Sequence, residues 1–376
     1  MDYQLNETQQ LIQQTFKSFV DEKVKPKAEE IDLKMEFPHE LFRAVGDLGF
    51  FGMRYPEKDG GSGLDILSYC LAVIELAHGS MSLAAACSMQ SLMATYFLYR
   101  FGDGEIKEMY FQPALKGEKI GTICMTEPNA GSDLTNITTM TKIFNDGYII
   151  NGQKIWITSA PVADFFTVLS KTEGNDKLSF FFVPAKTEGV YIGRNIDKLG
   201  VRGSVTSEVS FENVKVPKNY LLGEIGKGNV GLFEILAEIR IMTAALAYGV
   251  ALAAFEDALE YAKTRVQFGK PIGKFQAIQM KFADMSVQLE TTKQMIYHAA
   301  TLCDKNLPRQ KEAAIVKLYA SECANSICDE ASRIMASYGY AMEYPMQRYL
   351  RDARFTLIGG GTNEILKLNI AKELGL

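Results

Sequence analysis

No pair among the six cysteines has Cys-x-x-Cys spacing, and most of them lie in apolar stretches of helical character. A disulfide framework and a zinc site are therefore not expected, and no metal is assigned; free buried thiols in a reducing compartment are. Basic excess is also missing. Lys and Arg number 40 against 45 Asp and Glu, a net charge of −5, so no nucleic-acid surface is expected, since phosphate binding needs a basic stripe. The start MDYQLNETQQLIQQ lacks a signal-peptide core, and no window approaches 18 uninterrupted apolar residues free of charge. No membrane span is expected, and the expected compartment is the cytoplasm. No Gly-x-Gly-x-x-Gly follows a strand, which removes the usual dinucleotide-binding fold.

What is present divides the 376 residues into three textures. Residues 1–115 read as helices: Asn6 and Gln9 form a capping-box pattern ahead of Ile12, Phe16 and Phe19. LSYCLAVIELAHGSMSLAAACSMQSLMATYFLYRFG is long, apolar and helical. Residues 116–225 hold short β-rich runs such as GYIINGQKIWITSA and SEVSFENVKVP, broken by Asn-Asp-Gly and Asn-Gly turns. From 226 to 376 the strand signals stop. FEILAEIRIMTAALAYGVALAAFEDALEYAKTR has one glycine and no proline, a length typical of bundles and subunit interfaces. The expected fold class is α+β and multi-domain: a helical domain, a β-barrel or sandwich, and a four-helix bundle.

MTEPNAGSD (125–133) closely resembles a signature of the acyl-CoA dehydrogenase flavoproteins. NGQKIWITSA, KLGVRGSVTSEVSFENVKVP, RVQFGKPIGKFQAIQ and YLRDAR are similar to that family's other landmarks, in order, and the resemblance covers essentially the whole chain. It implies FAD held between the β-domain and the bundle. It also implies loss of a proton from the carbon α to a thioester while a hydride leaves the β-carbon for the flavin. Met125 and Thr126 are then expected at the flavin ring edge, and Gly131 and Ser132 near the thioester tail and the ribityl-phosphate. An aromatic often stands two residues before the Met position in the family; here it is Ile123. Trp156, the only tryptophan, is expected against the flavin, with Thr158 hydrogen-bonded to its ring. Cys124 is expected to point away as packing.

Arg265, Phe268 and Gln276 match positions that reach the adenosine-diphosphate part of FAD in a neighbouring subunit, which implies a homo-oligomer, typically a tetramer. Arginine suits a pyrophosphate because its fork pairs with two oxygens. The family's second contact there, Gln-x-x-Gly-Gly-x-Gly, is altered to RIMASYG: Arg333, Ala336 and Ser337 replace Gln and two glycines, and Gly339 is kept.

In straight-chain members the base is the Glu of a Tyr-Glu-Gly-Thr run. Gly361–Thr362 align with its Gly-Thr, which leaves Gly360 where the base would stand. A minority of the family places the base on the long helix immediately before an arginine that aligns with Arg240. Here that residue is Ile239, and the nearest acid is Glu238, one residue out of register. Glu238 shares a stripe with Ile241, Met242 and Ala245, where a carboxylate is partly desolvated, as suits a base near neutrality. Glu234, one turn earlier, is the alternative base, and a plain ion pair is the alternative role for Glu238. Glu364 is expected to serve the first turn of the last helix or the flavin.

Glycine at 360 widens the slot near the α-carbon and favours branched, cyclic or α-substituted acyl groups. Arg240 and Gly360 are thus expected to border the substrate. The texture of ASYGY most resembles the branch that oxidises prolyl groups on a carrier protein's phosphopantetheine arm. A branched or cyclic acyl-CoA is the alternative substrate, and a catalytically silent flavin-binding assembly protein is a third reading. Oxygen or an electron-transfer flavoprotein would reoxidise the flavin.

Overall fold

The computed structural model describes residues 4–376. Its first helix, Glu7–Phe19, starts on the expected capping box: the Asn6 side chain accepts from the Gln9 N–H at 2.9 Å, and the Asn6 N–H donates to the Gln9 side chain at 3.0 Å. The amino-terminal helices end with Gln112–Leu115. Eight strands follow: β1 (Gly121–Cys124), β2 (Met140–Phe144), β3 (Gly147–Thr158), β4 (Phe165–Thr172), β5 (Asn175–Pro184), β6 (Val190–Ile192), β7 (Thr206–Pro217) and β8 (Leu221–Leu222).

They pair in the order β6-β7-β3-β2-β4-β5-β8, with β1 parallel to β4. The sheet folds over where β2 meets β4 through only two residue pairs. Residues from both halves, including Ile150, Phe166, Val168, Phe181, Val209 and Phe211, then share one core. This is the α+β architecture expected from the alternating strand runs, with side chains from two facing surfaces filling the middle.

The bundle opens with the helix Gly228–Thr264 and continues through Gln276–Asp304 and Gln310–Met335 to the shorter Met346–Thr356 and Asn363–Glu373. The long helix is buried nearly all round because it runs between the other bundle helices and the amino-terminal helix Ile66–Gly79. Small residues permit that crossing. A Cβ on Gly249 would lie 2.5 Å from the Ile74 carbonyl oxygen and 2.7 Å from the Ala77 side chain.

Two helices, Met81–Phe101 and Gly228–Thr264, are long and apolar enough by composition to cross a membrane. However, 89% and 83% of their most apolar stretches are buried inside the protein. Their hydrophobicity is that of core helices, which need apolar residues on every side.

Candidate active site

The loop after β1 is held by a charge pair that the sequence reading passed over. Glu127 is 4% exposed and Lys154, on β3, is fully buried. Lys154 Nζ donates to Glu127 at 2.9 Å and to the Met125 carbonyl at 3.0 Å. The Glu127 carboxylate also accepts from the Thr138 N–H and hydroxyl, at 2.5 and 2.7 Å, and from the Thr139 N–H and hydroxyl, at 2.9 and 2.5 Å. Burial alone would push this carboxyl up. The Thr139 hydroxyl, the Thr138 N–H and Lys154 outweigh burial and lower it from 4.5 to about 2. With the Ile155 N–H donating to the Thr126 carbonyl at 2.9 Å, Met125 and Thr126 are fixed beside β3.

Alternation along β3 should bury every second side chain, and Tyr148, Ile150 and Lys154 are buried accordingly. There the register with β7 shifts between Lys154 and Ile157, and Trp156 takes φ +61°. The irregularity turns the indole outward, 56% exposed, while Ile157 goes into the core. Thr158 and Thr126 are half-buried and Ser132 is exposed, and none of their hydroxyls has a hydrogen-bond partner among the described residues. A flat exposed aromatic beside free donors fits a planar heteroaromatic ring with acceptors along its edge. Cys124 is fully buried, as expected of packing, and burial pushes its thiol well up.

A second group of predicted residues gathers where the long helix ends. Arg265 leads into a hairpin of Val266–Gln267 and Lys270–Pro271, whose tip residue Phe268 is 92% exposed, and Gln276 opens the next helix. The Arg265 guanidinium lies 5.6 Å from the Tyr338 ring centroid, which brings this hairpin against the Ala336–Ser337 segment. Tyr338 is a participant the sequence reading did not name. Arg333 is on the surface and paired with Asp329 at 2.8 Å.

Ala336 holds φ +53° and ψ −127°, a conformation that favours glycine, and the retained Gly339 has room for no Cβ because Ser332 O would sit 2.4 Å away. Backbone strain of this kind costs about 1–3 kcal/mol. Ala336→Gly is therefore expected to raise unfolding stability by about 1 kcal/mol after glycine's own entropic penalty. Urea unfolding monitored by circular dichroism checks this; an unchanged or lower midpoint would refute it.

The third group surrounds the glycine triplet. Gly360 has φ +71°, and a Cβ there would approach the Thr243 hydroxyl to 2.7 Å; Gly361 has φ +96°. Thr362 caps the last helix by accepting from the Ile365 N–H at 3.4 Å. Exposed Glu364 lies in its first turn, held low by its own backbone N–H and the Thr362 hydroxyl. Arg240, one turn before Thr243, is buried at 6% exposure.

Glu238 stands about 200° around the helix from Arg240, given the helical repeat. Its carboxylate forms a part-buried ion pair with Arg54, from the loop ahead of Tyr55. The Arg54 guanidinium also lies over the rings of Tyr55 and Tyr96. Glu234 continues the same face, accepting from the Tyr96 hydroxyl at 2.6 Å and facing Arg100 at 3.4 Å. Both acids expected as base thus engage the amino-terminal domain. Neither contacts the glycine triplet among the described residues.

Three domain descriptions match this arrangement in order: acyl-CoA dehydrogenase N-terminal domain over residues 6–118, middle domain over 122–214, and C-terminal domain over 226–375. The chain belongs to the acyl-CoA dehydrogenase family. As an acyl-CoA dehydrogenase it is a flavin-dependent oxidoreductase of acyl thioesters, and its cofactor is FAD. It is 56% identical to the benzylmalonyl-CoA dehydrogenase of Aromatoleum aromaticum over 375 residues, covering 100% of both chains. The solved butyryl-CoA dehydrogenase of Megasphaera elsdenii superposes with a TM-score of 0.96 at 39% identity, covering 100% of each chain. A prolyl acyl carrier protein oxidase superposes with a TM-score of 0.94 at 30% identity, over 99% of this chain and 100% of that one.

Within this acyl-CoA dehydrogenase, exposed Trp156 stands near the unpartnered hydroxyls of Thr126 and Thr158, and Arg265 lies against Tyr338.

Proposed function

We propose that this enzyme oxidises the CoA thioester of an α-substituted acyl group that carries a carboxylate, of the kind for which its benzylmalonyl-CoA relative is named. The observation that carries the reading is the glycine triplet: Gly360 packs against Thr243, and a Cβ on Gly361 would meet nothing nearer than the Leu366 side chain at 3.9 Å, so the loop sets no acidic side chain here. The open side of Gly361 suits a substituent on the α-carbon. The carrier-protein substrate expected from texture is the weaker reading, because the prolyl carrier-protein oxidase matches at 30% identity against 56% for the CoA-ester relative.

FAD, when bound, supplies the hydride acceptor. The chain's own residues position the ring and close the site. Glu127 and Lys154 hold the Met125–Thr126 backbone in place, Trp156 covers one face, and the buried helices exclude water. Reoxidation by an electron-transfer flavoprotein and assembly as a homotetramer complete the reading. Exposed Phe268, Met280 and Tyr340 support the assembly, because they cluster around the hairpin expected to reach a neighbouring subunit.

Anaerobic bleaching of the flavin tests the substrate. Benzylmalonyl-CoA is expected to bleach the holoenzyme at least tenfold faster than butyryl-CoA, and a prolyl carrier protein is expected to leave it yellow. Bleaching by the carrier protein alone would overturn the reading.

A further inference from the structure

The long helix presents Arg240 to a region where another cation is already buried. The Arg240 guanidinium has no ion pair or hydrogen bond among the described residues, and its Nε is fully enclosed without a partner. Lys317, fully buried, lies on the helix Gln310–Met335 that packs along the long helix. Lys317 Nζ donates to the Gly361 carbonyl at 2.7 Å and to Asn363 Oδ1 at 2.9 Å, so it is tied to the glycine triplet itself. Burial first, and Arg240 second, lower the lysine from 10.5 to about 8, while Glu322 and Glu364 act the other way.

Those two acids do not neutralise the pair. Glu322 accepts from Asn363 Nδ2 at 2.8 Å, and Glu364 is exposed at the start of the last helix. Two enclosed cations without a carboxylate partner are costly in a folded chain, because neither has lost its need for a counter-charge. Arg240 also shares its helix face with Thr243, whose hydroxyl packs against Gly360, so the unmatched charge borders the glycine triplet.

We propose that Arg240 and Lys317 form the subsite for a carboxylate carried by the acyl group, close to the thioester. A planar guanidinium fork matches a carboxylate with two parallel hydrogen bonds, and the buried ammonium, held by Gly361 and Asn363, adds positive field behind it. The counter-charge is then delivered by the substrate instead of by the loop. An uncharged acyl group of the same size would leave both cations desolvated and unpaired, so the site selects against it as well as for the acid. This assignment rests on the acyl-CoA reading above and adds the residues that read the acyl group.

Malonyl-CoA and acetyl-CoA test it on the holoenzyme. They differ by one carboxylate, and neither has a hydrogen-bearing β-carbon, so both bind without being dehydrogenated. In calorimetric titration malonyl-CoA is expected to bind at least tenfold more tightly than acetyl-CoA. Arg240→Gln should reduce that preference to less than threefold, and Lys317→Met should reduce it partially.

Equal affinities in the unmodified holoenzyme would overturn the proposal, as would a preference that survives both substitutions. If either variant loses FAD, the comparison of the two esters on the unmodified protein still decides. Equal binding of the two esters together with bleaching by butyryl-CoA would remove the carboxylate subsite and leave the dehydrogenase standing. Failure of every CoA ester to bind or bleach would remove both.

Discussion

Glu127→Ala is expected to cost about 3–5 kcal/mol of unfolding stability, because it leaves the ammonium of Lys154 buried without its partner. The larger consequence is local. Lys154 also holds the Met125 carbonyl, and Glu127 gathers Thr138 and Thr139, so one substitution releases the loop and the start of β2 together. The FAD-to-protein ratio after gel filtration is expected to fall by at least tenfold, with a lowered melting temperature. A variant that keeps stoichiometric flavin would show that the loop is held by other means. Glu127→Ala with Lys154→Met should recover part of the stability, since the buried charge goes with its partner.

The same pair sets an acid limit. The Glu127 carboxyl is lowered in the folded state, so its contribution is present in full above about pH 4.5 and is lost as pH falls towards about 2. Flavin retention is therefore expected to persist through mildly acidic pH.

Arg54→Ala is expected to be the second large effect, about 2–3 kcal/mol, because it leaves the part-buried Glu238 carboxylate without its partner. Its partner decides between an anchor and a base. Loss of a general base costs about 10²–10⁴-fold in rate. The geometry, with Glu238 turned to Arg54 and away from the glycine triplet, predicts less than a tenfold fall in kcat for Glu238→Gln, accompanied by destabilisation. A thousandfold fall in kcat with the melting temperature unchanged would assign Glu238 to proton abstraction. Glu234→Gln, measured alongside, should lose mainly the contact with Tyr96.

Patterns of local origin were legible in the sequence. The Asn6–Gln9 cap, the strand runs between Asn-Gly turns and the unbroken long helix all follow from neighbours within a few residues, and the structure forms them. Burial of Cys124 followed from simple alternation. Alternation alone does not show the outward turn of Trp156, because the register shift depends on how β3 meets β7, some fifty residues later. Glu127 and Lys154 escaped notice for the opposite reason: hydropathy reads charged residues as surface, and only the fold shows that these two are enclosed together. Glu238 was correctly found on an apolar helix, yet its partner lies 184 residues away, beyond any periodic signal. The glycine triplet announced a missing side chain, whereas the charges around it come from two other helices.

The outward indole has a practical corollary. Trp156 is the only tryptophan in the chain, and it stands exposed near the end of β3. Its emission, excited selectively over that of the tyrosines, therefore comes from one known position with no background from elsewhere. The protein contains its own optical probe of cofactor occupancy: quenching on FAD uptake and recovery on release would report loading without a label.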